Sequence, residues 1–133
     1  HNGAPLLLMT LCEQRFEPGL WLSAWLVSSA GCPAEVIEWS VPLAELPLAL
    51  ERIKPRGLLL YASQSLDSGY LKRQLPRLAD PHGMPLLLAG PAASIHLAEL
   101  RDVPGLTLAI DPLAALEVLQ DGPLLENPKG YRE

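Results

Sequence analysis

The feature that most constrains this chain is a short, unbroken apolar run that recurs with a helix-like stretch after each copy. "PLLLMT" (5–10), "GLLLYA" (57–62) and "MPLLLAG" (84–90) are too short for buried helices and show no alternation. Continuous runs of this length are what strands covered on both faces require. "AEVIEW" (34–39) does alternate, which places it nearer a sheet edge, and "LTLAI" (106–110) supplies a fifth strand.

The intervening stretches carry helix punctuation. Residues 19–30 have Pro18 and Gly19 in the first turn and Gly31 at the end. Residues 43–54 are stopped by Pro55, with Pro47 in the first turn or at a kink. Residues 67–79 begin on Asp67 as an N-cap, and 93–102 and 112–119 complete the set. Strand–helix alternation of this kind predicts an α/β fold: a flavodoxin- or Rossmann-like, doubly wound, five-stranded parallel sheet with right-handed crossovers. Ligands in such sheets sit beyond the carboxyl ends of the strands, where strand order reverses. That places any site on the loop before Gly19, on 62–69, on 89–94 and around Asp111.

Length and composition narrow the rest. A chain of 133 residues is one domain in size, and its 30 leucines against 5 % aromatics predict an aliphatic core. Residues 1–4 read as a cloning scar or linker, 5–120 as the domain, and 121–133 as a loosely ordered tail. The opening His1-Asn2-Gly3, without a methionine, suggests a fragment of a longer protein. A net charge of −5 with no Lys/Arg block argues against this segment gripping a nucleic acid backbone itself. No apolar run approaches bilayer length and no signal-peptide pattern opens the chain. Cys12 and Cys32 make no disulfide framework, so the expectation is a cytoplasmic protein with buried, reduced thiols and no membrane partner.

Most chemistries fail on inspection. A dinucleotide loop needs closely spaced glycines after the first strand, and only Gly19 is there. A phospho-receiver needs an aspartate after strand three, where Ala62 and Ser63 stand. Ser63 and Ser65 lack a nucleophile elbow and read as loop-satisfying hydroxyls. His96 reads as a partly buried helix residue, and His82 as a solvated turn residue. No cysteine–histidine spacing suits a metal. The expectation is therefore not an enzyme; catalysis would need acid/base groups from a partner domain.

With "QRFEPG" (14–19), Ser63, Ser65 and "LLLAGPAA" (86–93) in view, the chain resembles cobalamin-binding domains. These occur in methionine synthase and methylmalonyl-CoA mutase, and C-terminally in MerR-type bacterial transcriptional regulators. That family carries D-x-H-x-x-G after strand one, with the histidine as lower cobalt ligand and the aspartate orienting it. Anchored on Gly19, the aspartate position is Gln14 and the histidine position Phe16. Phenylalanine has no lone pair for a metal, and glutamine brings no charge to an imidazole. The family's serine motif falls at Ser63 and Ser65, and its Gly-Gly motif at Ala89 and Gly90. These line the family's slot for the nucleotide tail, and small residues over 89–94 would leave room there.

The resemblance implies a regulatory domain, for effector sensing or self-association, from a MerR-type regulator whose DNA-binding winged helix would lie outside this chain. Histidine-ligated cobalamin is not expected, which leaves only a mode without that ligand. The alternative is a small-ligand or cobalamin sensor or carrier using the rim of Gln14, Phe16, Gly19, Ser63, Ser65 and Gly90. Homo-oligomerisation is expected. On the first helix Leu20, Trp21, Ala24, Trp25 and Ser28 share a face fit for the sheet. Leu22 and Leu26, beside the edge of Trp25, form a candidate partner surface or lie under the tail and loops.

Overall fold

The structure, a computed structural model, describes residues 4–11, 18–37, 42–82, 85–111, 113, 114 and 117, without the side chains of 79–82. Among these residues, five parallel strands form one sheet in the order β2-β1-β3-β4-β5. They are β1 (Leu6–Thr10), β2 (Ala34–Ile37), β3 (Gly57–Tyr61), β4 (Leu86–Ala89) and β5 (Leu106–Ala109). The chain is thus the α/β, doubly wound, flavodoxin-like sheet that the alternation predicts. The three unbroken leucine runs are its centre, buried along their whole length, while β2 and β5 lie at the edges and are only part-buried.

Parallel register stacks like on like across the sheet. Val36, Leu8, Leu59 and Leu87 form one row, and Leu7, Leu58, Leu86 with Leu106 form a row on the opposite face. Helices cover both faces. On one lies α1 (Pro18–Ser29), whose Leu20 and Val27 pack with Leu6, Leu8 and Leu59. Ala114, in the last described helical stretch, packs against the same cluster. On the other face, Leu46 and Leu50 of α2 (Leu46–Ile53) and Leu71, Leu75 and Leu78 of α3 (Ser68–His82) meet Leu7, Met9, Leu58 and Leu60. The short α4 (Pro91–Ile95) and α5 (Leu97–Leu100) add Ala93 and Leu100 to that side. Each fully buried leucine contributes roughly 1.5–3 kcal/mol by leaving water, so these two leucine layers dominate the stability.

Three local expectations need correction. The first concerns the sheet-facing side of α1, which is Leu20, Ser23 and Val27, with Ala24 part-buried. Trp21 (42 % exposed), Trp25 (63 % exposed) and Ser28 point to solvent. The reason lies in Ser23, whose hydroxyl donates to the Gly19 carbonyl at 2.7 Å. With its polar group satisfied inside its own helix, it behaves as a small core residue, and the inward stripe turns away from the indoles. Second, the expected helix 93–102 is two short helices parted at His96 (φ −103°, ψ 16°). Third, the expected helix 43–54 opens with a single 3₁₀ turn, Leu43–Glu45, before α2 begins. Lys54 closes α2 in the left-handed conformation at φ 53°, its N–H donating to the Leu50 carbonyl at 2.8 Å. α3 runs through Pro76, where the Lys72 carbonyl loses its usual donor on a solvent-facing stretch.

Candidate functional site

Strand order reverses between β1 and β3, so the carboxyl ends of those strands frame the place where a ligand would bind. The last register row there is Thr10, Tyr61, Ala89 and Ala109. Tyr61 is the bulky member of that row and is 7 % exposed. Its ring lies on the α1 side of the sheet, in the cluster with Leu20 and Ala89.

Two glycines accommodate that ring. A methyl added at Gly19 would overlap the Tyr61 phenol. A methyl at Gly90 would lie 3.0 Å from the same ring and 2.6 Å from the Ala62 carbonyl, and Gly90 also holds φ at +96°. Gly90 thus answers two demands at once, a left-handed backbone and a close approach. Backbone bonds knit the edge: Leu11 N–H to the Tyr61 carbonyl at 2.9 Å, Ala62 N–H to Ala89 at 3.1 Å, and Ala92 N–H to Ala62 at 3.0 Å. Ala92 and Ala93 are buried as well. The small residues of 89–94 therefore make room for the protein's own packing.

Of the residues singled out in the sequence, Gln14 and Phe16 lie outside the described residues, as do Cys12 and the His82 side chain. Gly19, Ser63 and Gly90 gather at the strand-end edge, Ser63 half-buried and Ser65 exposed on the loop beyond it. Leu22 (48 % exposed) and Trp25 are outward on α1, and Leu26 is half-buried beside them. Asp111 accepts the Ala114 N–H at 2.8 Å and Asp67 accepts the Tyr70 N–H at 3.2 Å, so both carboxylates act as helix caps. Cys32 is buried, its thiol donating to the Pro33 carbonyl at 3.5 Å. Among the described residues, no group of three His, Cys, Asp or Glu side chains gathers as a metal site needs. Among them also, no helix is long and apolar enough to cross a membrane.

Sequence reasoning missed the polar cluster around His96. The ring is 4 % exposed, accepts the Leu66 N–H on Nε2 at 2.9 Å, and places Nδ1 2.8 Å from Glu99 Oε1. Ser68 Oγ donates to the same carboxylate oxygen at 2.8 Å and lies 3.5 Å from Nδ1. The hydrogen bond from His96, and after it that from Ser68, holds the Glu99 carboxyl below its ordinary range. Serine, histidine and glutamate are the members of a hydrolytic triad, but the arrangement differs. A triad places serine and carboxylate on opposite ring nitrogens. Here both approach Nδ1, and Nε2 is occupied by a backbone N–H, so this histidine does not bridge the two as a triad's does. No signal in the sequence couples residue 66 to residue 96, because the bond is to a backbone amide.

No family model matches the chain, and no curated protein matches it.

Proposed function

We propose that this chain is a regulatory and self-association domain of a MerR-type bacterial transcriptional regulator. It would have the cobalamin-binding architecture without histidine-ligated cobalamin, and DNA contact would fall to a domain outside this chain. The reading rests on the resemblance of "QRFEPG", Ser63, Ser65 and Gly90 to the family's motifs. The observation that carries the loss of the cofactor is the Tyr61 ring lodged against Gly19 and Gly90 at the strand-order reversal. In the family that resemblance points to, this edge opens toward the nucleotide tail; here a core aromatic occupies it. The residue in the cobalt-ligand position, Phe16, has no lone pair to offer. The residues present do not fit histidine-ligated cobalamin.

Self-association is supported by α1. All twelve of its residues are uncharged, and Trp21, Leu22 and Trp25 stand outward on it. An outer helix face in contact with water alone is usually charged or polar. The cofactor half of the proposal is tested by adding hydroxocobalamin and adenosylcobalamin and recording visible spectra. No histidine-ligated spectrum and no sub-micromolar binding are expected. Either one would overturn the reading of Phe16 and Tyr61.

A further inference from the structure

His96 joins three segments at once: α4 ends on it, α5 begins on it, and the loop after β3 is bonded to its ring. The bonds fix its protonation pattern. The Leu66 amide can only donate, so Nε2 must present its lone pair. An ionised Glu99 can only accept, so Nδ1 carries the hydrogen. The ring is therefore neutral and in the Nδ1–H form. A second proton has one place to go, Nε2, where it would point straight at the Leu66 N–H. Two donors cannot share that contact, and one must leave.

What leaves is consequential. The Leu66 side chain packs, as Leu11 does, against buried Ala62 and Ala92. Those alanines lie just beyond the carboxyl ends of β3 and β4, at the strand-end edge. Among the described residues, few ionisable and polar groups surround the ring. Glu99 comes from α5, Ser68 from α3, and Lys72 of α3 acts on Glu99 from further out. Asp67 on the loop is engaged with the Tyr70 N–H. α4, Pro91–Ile95, brings no ionisable side chain. Among the described residues, Glu99 is thus the charged group in contact with the ring, at 2.8 Å on Nδ1, and the Leu66 amide holds Nε2.

We propose that His96 is a proton-sensitive latch: neutral, it holds the β3–α3 loop and Leu66 closed over the strand-end edge, and protonated at Nε2, it releases them. The proton comes from solvent, the Leu66 N–H···Nε2 bond breaks, and the amide turns to water. Histidine is the side chain that ordinarily changes charge near neutrality, which makes it suited to such a device. The inference rests on this geometry alone and does not depend on the family reading above.

The test is NMR on the ¹⁵N-labelled chain between about pH 8 and pH 5. At the upper end, imidazole nitrogen shifts should report the Nδ1–H form, with a through-hydrogen-bond coupling between the Leu66 nitrogen and Nε2. As the imidazole titrates, the coupling should vanish. Leu66 amide protection, corrected for intrinsic exchange, should fall about tenfold, the scale of one net hydrogen bond, while the β3 amides hold. His96→Gln keeps an acceptor near the Nε2 position without titrating and should leave Leu66 protected at both ends. His96→Asn is too short to reach and should leave it unprotected at both. An Nε2–H form at the upper end would overturn the latch. So would Leu66 protection that stays constant while the ring titrates, or a ring that does not titrate in this range. If His96→Asn does not fold, the wild-type chain and His96→Gln decide the matter alone.

Discussion

At the scale of single residues, the strand-end edge is a fit between one large side chain and two absent ones. Tyr61 fills the space that Gly19 and Gly90 leave, so the three positions should behave as a unit. Gly19→Ala puts a methyl into the Tyr61 phenol and should destabilise by about 1–3 kcal/mol, the usual range for overpacking. In a Tyr61→Leu background most of that cost should disappear. Chemical denaturation of both singles and the double gives the coupling, and additive effects would show that the two positions do not meet. The second residue-scale case is Glu99, whose carboxyl is held low by His96 and Ser68. A carboxyl with a depressed folded pKa adds stability that is complete above its unfolded value and is lost as pH falls through the folded one. The melting-temperature gap between the wild-type chain and Glu99→Gln should therefore be open at neutral pH and close within and below the ordinary carboxylate range. A gap independent of pH would contradict the assigned hydrogen bonds. These pairings were half legible: a glycine at a strand–helix junction signals close approach, but the sequence does not say to what.

At the scale of elements, legibility followed whether a signal was local. The leucine runs of β1, β3 and β4 announce their burial because a strand covered on both faces has no polar position to spare. The alternation of 34–39 likewise places β2 at the edge, where the structure puts it. Asp67 was readable as a cap, since a cap acts within its own turn. The break at His96 was not readable, because it is held by an amide thirty residues away in sequence. The facing of α1 failed for a subtler reason. The helical wheel puts Trp21, Trp25 and Ser28 inward with Leu20 and Ala24, and leaves Ser23 off the sheet face. Ser23 reverses this by satisfying its hydroxyl on the Gly19 carbonyl, after which its small size suits it to the sheet better than an indole.

At the scale of the whole molecule, the two outer faces differ in chemistry. α3 shows Lys72, Arg73 and Arg77 to solvent, whereas α1 shows Trp21, Leu22 and Trp25 and carries no charge from Pro18 to Ser29. Both leucine layers were legible because periodicity sets them, whereas the order of the five strands came only with the structure. For an outer face the sequence offered no more than the candidate surface of Leu22 and Leu26 beside Trp25, because nothing inside the fold depends on it. A charge-free helix suits pairing with a second copy, since a twofold contact uses the same patch on both copies and charges of one sign there would repel. A twelve-residue helix is only about 18 Å long, and its outward strip falls short of the roughly 800 Å² per partner of a standard interface. The pairing should accordingly be weak and concentration-dependent. Trp25→Glu should yield a monomer at every concentration in sedimentation velocity, with the far-ultraviolet circular dichroism of the wild-type chain. Leu20→Ala, cut from the buried side of the same helix, should do the reverse. It should cost about 2–5 kcal/mol of stability and leave association of the folded chain intact. Since the two residues share one helix, general damage to α1 would move both readouts together. Only an outward partner surface separates them, and a Trp25→Glu chain that associates as the wild type does would remove α1 from the interface.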